Sequence, residues 1–374
     1  MLAVRKVGSS APSAIGRGVC DGLLMERCPW VVALVFTTVC ALSACEQSEQ
    51  IGPEMNTVVD QQAGTNTNTT PDTSSTPGTD TTPDASSTPG TDTSTVSEWV
   101  VNNDGQDIHA RSIGNGDDIV VVINGGPGQS HHYCESMDVL SSTHIRVVTF
   151  DQRGTGRSPH PAESNYSMDS YVSDLEALRS DLGVERLHLL GHSFGGSYAI
   201  AYTAAHPNRV ASLQLFASSP VTTRHSDSTE FERRIAGYES NGTFMAGYDD
   251  FGSDNDCTSY FQTIWPVYLH DASFPMTSSL HATTCDLETF MGTSESNPRG
   301  WDFRAGVKTF TGPVAVYYGE ADPFITETQS IAQYFESTSV TEVELSECGH
   351  YWEECIDVVV PRIANFLSEA LQAQ

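Results

Sequence analysis

Lysine is nearly missing from this chain of 374 residues. Of its 18 Lys plus Arg only Lys6 and Lys308 are lysine, against 48 Asp plus Glu, and the formal net charge is −30. No basic cluster is longer than Arg233-Arg234. Phosphate backbones need a basic patch, so nucleic acid is excluded as a partner. A membrane-length apolar run is missing as well: the run from Trp30 to Leu42 is too short for a comfortable span. Between residues 46 and 96 apolar residues are almost absent. A segment of that composition cannot bury enough surface to offset its ordering entropy, so it has no packed core. The cysteines lack the paired short spacings of a zinc site.

What is present at the N-terminus has its own logic. The run 30–42 has the length of a signal-peptide apolar region, and it ends in Leu42-Ser43-Ala44-Cys45. Small residues before a cysteine resemble the bacterial lipoprotein cleavage box, which implies lipidation of Cys45 and a place in the cell envelope. The positive region should be short, and Met25-Glu26-Arg27 lies just before the run, so translation is expected to begin at Met25. Residues 1–44 then form the signal region. Residues 45–96 form a lipidated cysteine with a disordered Thr/Ser/Pro tether. Within the tether, 71–82 and 83–94 are twelve-residue repeats that differ at two positions, with no recurring apolar position to build a solenoid. Export permits disulfides. Cys134, Cys257, Cys285, Cys348 and Cys355 remain after the signal and anchor, and the sequence-local pairs are Cys257–Cys285 and Cys348–Cys355.

From residue 97 short apolar runs alternate with helical stretches. Strands are expected at 99–102, 108–113, 119–124, 145–151, 186–190, 212–217, 314–318 and 340–345. Runs such as Val120-Val121-Val122-Ile123 are apolar without alternation, as in strands buried on both faces of a parallel sheet. Helical patterns fall at 168–182, 195–205, 327–335 and 355–371. The rhythm predicts an α/β fold, a mostly parallel eight-stranded sheet with helices on both faces and an antiparallel hairpin at one edge. The core occupies 97–219 and 313–374. The rhythm fails over 220–312, which reads as a mainly helical cap.

Gly191-His192-Ser193-Phe194-Gly195 follows a buried strand and precedes a helix. In that context G-x-S-x-G is a sharp turn that exposes a nucleophilic serine. A serine needs a base, and the base needs an orienting carboxylate, in the chain order Ser, acid, His. His350 follows the last strand, and Asp322 follows the strand before it, with Glu320 as the rival acid. Both loops lie beyond strand carboxyl ends, where open α/β sheets build their sites. An oxyanion hole needs two convergent backbone N–H groups. Phe194 supplies one, and the loop Asn124-Gly125-Gly126-Pro127-Gly128 supplies the other, with Gly126 favoured.

Three blocks together resemble the proline iminopeptidase family of α/β-hydrolases: Gly125–Gly128, Asp151-Gln152-Arg153-Gly154-Thr155-Gly156-Arg157-Ser158, and Gly191–Gly196. The resemblance covers 97–374. It implies an α/β-hydrolase core with a cap, a Ser193/Asp322/His350 triad, and a serine aminopeptidase that releases N-terminal residues, often proline, with no cofactor and no metal. It also implies that cap acids hold the substrate's free ammonium. Glu230, Glu232 and Glu239 are the candidates, with Asp249, Asp250, Asp254 and Asp256 in the same segment. Two positions depart from the family: Asn124 stands where His is common and Phe194 where Trp is common, which bears on the bracing of the oxyanion loop and on the pocket wall. Asp151 and Arg153 are expected to pair beneath that loop. An esterase or amidase on the same scaffold is the alternative. A catalytically inactive surface-binding domain is disfavoured, because such a protein would normally lose one of the three catalytic residues. The expected partners are a peptide or small acyl substrate, and the membrane through the lipid at Cys45.

Overall fold

The computed structural model describes residues 95–240 and 252–373, with the side chains of 238–240 excepted. The signal region, the lipidation site Cys45 and the tether lie outside the described residues. So do Asp249, Asp250 and the side chain of Glu239.

Eight strands form one sheet: β1 (Val96–Asn103), β2 (Gln106–Ile113), β3 (Asp118–Ile123), β4 (Ile145–Phe150), β5 (Leu187–His192), β6 (Val210–Phe216), β7 (Val314–Gly319) and β8 (Val340–Leu345). Their order is β1-β2-β4-β3-β5-β6-β7-β8. β1 pairs antiparallel with β2, and β2 antiparallel with β4. Every other pairing is parallel. The edge hairpin turns at Asp104 and Gly105, both at positive φ, the geometry a two-residue Asp-Gly turn favours.

The non-alternating strands have a direct explanation. Ile119, Val121 and Ile123 of β3 enter one core layer, and Val120 and Val122 enter the other. The first layer holds α1 (Met168–Asp181) and α2 (Phe194–Ala205), through Tyr171, Leu175, Leu178, Tyr198 and Tyr202. Ser167 caps α1 by accepting the Ser170 N–H. The second layer is covered by a 3-10 segment, His131–Leu140, and by the C-terminal helix Ile356–Gln372, through Val359, Ile363 and Leu367.

Between β6 and β7 the chain leaves the sheet for a helical insertion. It contains α3 (Thr229–Ser240), α4 (Asp254–Ile264), α5 (Ser278–Ala282), α6 (Leu287–Ser296) and α7 (Arg304–Val307). Cys257–Cys285 ties α4 to the segment before α6. Cys348–Cys355 closes the loop after β8, and Cys134 is buried and free. None of the described helices is long and apolar enough to cross a membrane.

Two sequence expectations change. The helix expected over 327–335 is α8 (Ile325–Gln329) followed by a separate 3-10 turn, Ala332–Tyr334. There Ser330 Oγ donates to the Glu327 carbonyl and so competes with continued helix, while Thr328 Oγ1 ties the segment to the Ser218 carbonyl. The last helix is α9 (Ile356–Gln372). The second change concerns charge. Arg153 does not pair with Asp151 but forks onto Asp174 of α1, with Nε–Oδ2 at 2.7 Å and Nη2–Oδ1 at 2.8 Å. Asp151 instead holds His131 Nδ1 at 2.7 Å and accepts the Arg157 N–H at 3.0 Å. Residues two apart on a turning loop face different neighbours, which spacing alone does not reveal.

Candidate active site

β5 ends at His192, directly before Ser193, whose backbone sits at φ 53° and ψ −123°. A non-glycine residue rarely adopts positive φ, and here the conformation turns the chain from strand into helix. The flanking glycines make the turn sterically possible. A Cβ at Gly195 would lie 2.2 Å from the Ile123 carbonyl oxygen, and one at Gly191 would lie 2.6 Å from that of Gly195. The Ser193 side chain is half-buried at the tip.

Three loops from distant parts of the sequence meet there. Ser193 Oγ lies 3.0 Å from His350 Nε2, and His350 Nδ1 lies 2.9 Å from Asp322 Oδ1. Asp322 also accepts the Phe324 N–H at 2.9 Å and is fully buried, so the carboxylate is fixed before a substrate arrives. The rival Glu320 faces outward and accepts the Glu347 N–H at 2.8 Å. Other downstream histidines are engaged elsewhere: His225 with Tyr334 at 2.8 Å, His270 beside Glu320 at 3.8 Å.

The loop after β3 lies against Ser193: a Cβ on Gly125 would be 2.9 Å from the Ser193 Cβ. The Gly125 N–H donates to the Tyr133 hydroxyl. The Gly126 N–H makes no hydrogen bond among the described residues. The Phe194 N–H is at the first turn of α2, where backbone donors lack helical partners. Asn124 braces this loop from inside, with Nδ2 donating to the Gly125 and Gln129 carbonyls at 3.0 and 2.7 Å. Phe194 is buried against Tyr171 and Trp301, with ring centroids 5.6 and 6.2 Å away, so its ring packs into the core rather than into a pocket wall.

The insertion braces two of these loops. Ser130 donates its N–H to the Thr284 carbonyl at 2.9 Å, and Asp286 to that of Gly128 at 2.8 Å. The His350 N–H donates to the Tyr268 carbonyl at 2.7 Å. A cavity of only about 20 Å³, room for a single water, lies between the insertion and these loops, lined among the described residues by Gln129, Phe261, Gln262, Trp265, Leu280 and Tyr351 and by no carboxylate.

The candidate ammonium ligands are not alike. Glu230 is held by Arg233 at 2.6 Å and Arg234 at 2.9 Å, and these guanidinium groups lower its pKa to about 2. Glu232, exposed on the same helix, accepts the Ser228 hydroxyl at 3.2 Å. Asp254 and Asp256 are exposed at the start of α4, and Asp256 accepts N–H and hydroxyl bonds from its own turn.

Among the described residues, His131, His132 and Glu135 place three ligand atoms within 4.8 Å of one another. Asp151 takes Nδ1 of His131, Glu135 faces Nε2 at 3.4 Å, and Arg111 lies 3.9 Å from Glu135. This donor set fits an ion-pair network better than a metal. Burial alone would depress His131, but the hydrogen bonds to Asp151 and Glu135 outweigh it and raise the pKa to about 9. His131 and Tyr133 have no motif to announce them, and His192 occupies the unspecified position of the Gly191–Gly195 motif. His192 Nδ1 lies 2.6 Å from the Tyr133 hydroxyl and its Nε2 2.9 Å from the His350 carbonyl.

The family model described as "alpha/beta hydrolase fold" matches residues 118–352. Among curated proteins, the proline iminopeptidase of Lactobacillus helveticus (strain DPC 4571) is 39% identical over 120 residues, 31% of this chain and 40% of that protein. The proline iminopeptidase of Saccharolobus solfataricus is 45% identical over 85 residues, 22% of this chain and 27% of that protein. The chain thus matches less than half the length of these curated relatives. Among solved structures, the proline iminopeptidase of Mycobacterium smegmatis superposes with a TM-score of 0.55 at 21% identity, over 74% of this chain and 100% of that one. An esterase from Exiguobacterium antarcticum gives 0.58 at 18% identity, over 72% and 98%. At such identities the likeness is one of fold.

Proposed function

The chain belongs to the α/β-hydrolase fold family, and on that footing we propose that it is a serine hydrolase that releases N-terminal residues, proline among them, from peptides through an acyl-enzyme. The observation that carries the chemistry is the continuous contact from Ser193 through His350 to Asp322. Ser193 Oγ attacks the carbonyl carbon while its proton passes to His350 Nε2. Asp322 holds Nδ1–H, fixes the tautomer and stabilises the imidazolium. The tetrahedral oxyanion accepts hydrogen bonds from the Phe194 and Gly126 amides. Collapse breaks the scissile bond, and His350 gives its proton to the departing amine. Water, deprotonated by His350, then attacks the acyl carbon and releases Ser193.

The peptidase assignment is supported by the three sequence blocks and by the proline iminopeptidases matched above. On this reading acids of the insertion meet the free ammonium, with Glu232 and Glu239 ahead of Glu230, whose charge Arg233 and Arg234 already neutralise. A second reading, an esterase or amidase for uncharged acyl groups, draws support from that neutralisation. Rates on proline 4-nitroanilide, its N-acetyl form and 4-nitrophenyl esters separate the two. The first reading expects turnover of the free amine and loss on acetylation. Equal rates on the blocked substrate, or turnover of esters alone, would overturn it.

The segment Leu42–Cys45 and the tether behind it support a lipid anchor on Cys45 in a bacterial cell envelope. Mass spectrometry of the mature N-terminal peptide should find an acylated Cys45, and Cys45→Ala should release the protein from membranes. An unmodified cysteine would remove the anchor.

A further inference from the structure

We propose that Tyr133 and His192 are positioning residues that lock the oxyanion loop and the histidine loop to the nucleophile turn through one buried, directional chain of hydrogen bonds. The inference rests on the reading of Ser193 as nucleophile. Both residues are fully buried. Each link has a forced direction. The Gly125 amide can only donate, so the Tyr133 oxygen accepts there. The His350 carbonyl can only accept, so His192 carries its proton on Nε2, 2.9 Å away. Nδ1 of the neutral ring then accepts, and the Tyr133 hydroxyl donates to it across 2.6 Å. Every N–H and O–H of the chain is used.

The placement of the ends gives the chain its consequence. Gly125 precedes the oxyanion donor Gly126, and its Cα lies so near Ser193 that an added Cβ would sit 2.9 Å from the serine Cβ. Engaging the Gly125 amide leaves the Gly126 amide as the free donor of the loop. His192 is bonded to the backbone of His350 itself, and its own backbone leads directly into Ser193. A shift at either link therefore moves an oxyanion donor or the base relative to the nucleophile, and small displacements of that kind are costly to the rate.

A second proton on His192 would break the logic, because Nδ1 could no longer accept and the tyrosine proton would have no acceptor. Burial, with His350 nearby, keeps the imidazole well below its ordinary pKa. The aromatic contacts of Tyr133 with Tyr351 and Trp352, at centroid distances of 5.5 and 5.7 Å, do not depend on its hydroxyl.

Tyr133→Phe therefore removes two of the three hydrogen bonds and keeps the packing. The readouts are the phosphonylation rate of Ser193 by a fluorophosphonate and kcat and KM on a 4-nitrophenyl ester, taken on the folded full chain. We expect the labelling rate and kcat to fall about 10- to 100-fold with KM within about twofold. His192→Gln can still accept with one amide atom and donate with the other, and should retain more of the rate than His192→Ala. If Tyr133→Phe does not fold, the comparison of the two His192 variants decides the matter. Wild-type labelling in folded Tyr133→Phe, or equal rates in the two His192 variants, would overturn the proposal. A wild-type protein that is not labelled at Ser193 at all would instead remove the hydrolase reading on which it rests.

Discussion

Removing the charge behind the oxyanion loop should change the pH dependence of folding in a defined direction. His131 lies between Asp151 at 2.7 Å and Glu135 at 3.4 Å, and its pKa rises from an ordinary 6.5 to about 9. The folded state therefore holds a proton that the unfolded chain releases between those values. The stabilisation is complete below pH 6.5 and is lost as pH climbs through about 9. At about 1.4 kcal/mol for each tenfold change in proton affinity, it amounts to about 3 kcal/mol. His131→Gln keeps a donor toward Asp151 but no charge. Urea unfolding at about pH 6 and about pH 9.5 should show the stability gap between wild type and variant shrinking by about 3 kcal/mol. With a slope of about 3 kcal/mol per molar urea, that is about 1 M in the midpoint difference. A gap of equal size at both pH values would refute the pairing.

Three other outcomes follow from buried groups. Burial pushes the Glu353 carboxyl up from 4.5 to about 8, so the folded state keeps its proton and stability declines between those values, by about 5 kcal/mol in all. Glu353→Gln should abolish that decline and be the more stable protein at about pH 8, as thermal melts would show. Arg153→Leu leaves the buried Asp174 with Asn103 as its remaining side-chain donor. That should cost about 3–5 kcal/mol by chemical denaturation, and a loss under about 1 kcal/mol would contradict it. Converting Cys257 and Cys285 to serine opens a loop with a sequence separation of 28. It should cost about 3 kcal/mol in a denaturant titration and lower activity, because the Cys285 segment holds the oxyanion loop.

The parts of this molecule that could be read from sequence are those whose cause is local. Val120–Ile123 announces a strand with two buried faces, and the glycines around Ser193 announce a turn that tolerates no side chains. Asp322 and His350 stand out because each follows a strand end in the required chain order. The rest depends on what the fold brings near. Nothing adjacent to Asp151 shows that it meets His131, because the 3-10 segment carrying His131 has no helical rhythm. Tyr133 and His192 lie fifty-nine positions apart and meet only because β3 and β5 are neighbours in the middle of the sheet. For Glu230 a signal was available: Arg233 and Arg234 stand three and four residues on, the spacing at which a helix pairs opposite charges. The choice among cap acids was not legible, because an acid that binds a substrate and one that merely solvates a helix have the same local sequence.

In the proposed mechanism Ser193 becomes covalently acylated with His350 as its base. Acid-quenching the protein during turnover of a 4-nitrophenyl ester and mapping the adduct by mass spectrometry tests it most directly. One acyl group is expected on the peptide containing Ser193, and neither adduct nor turnover in Ser193→Ala. Turnover that persists in Ser193→Ala, or an acyl group carried by another residue during productive hydrolysis, would contradict it.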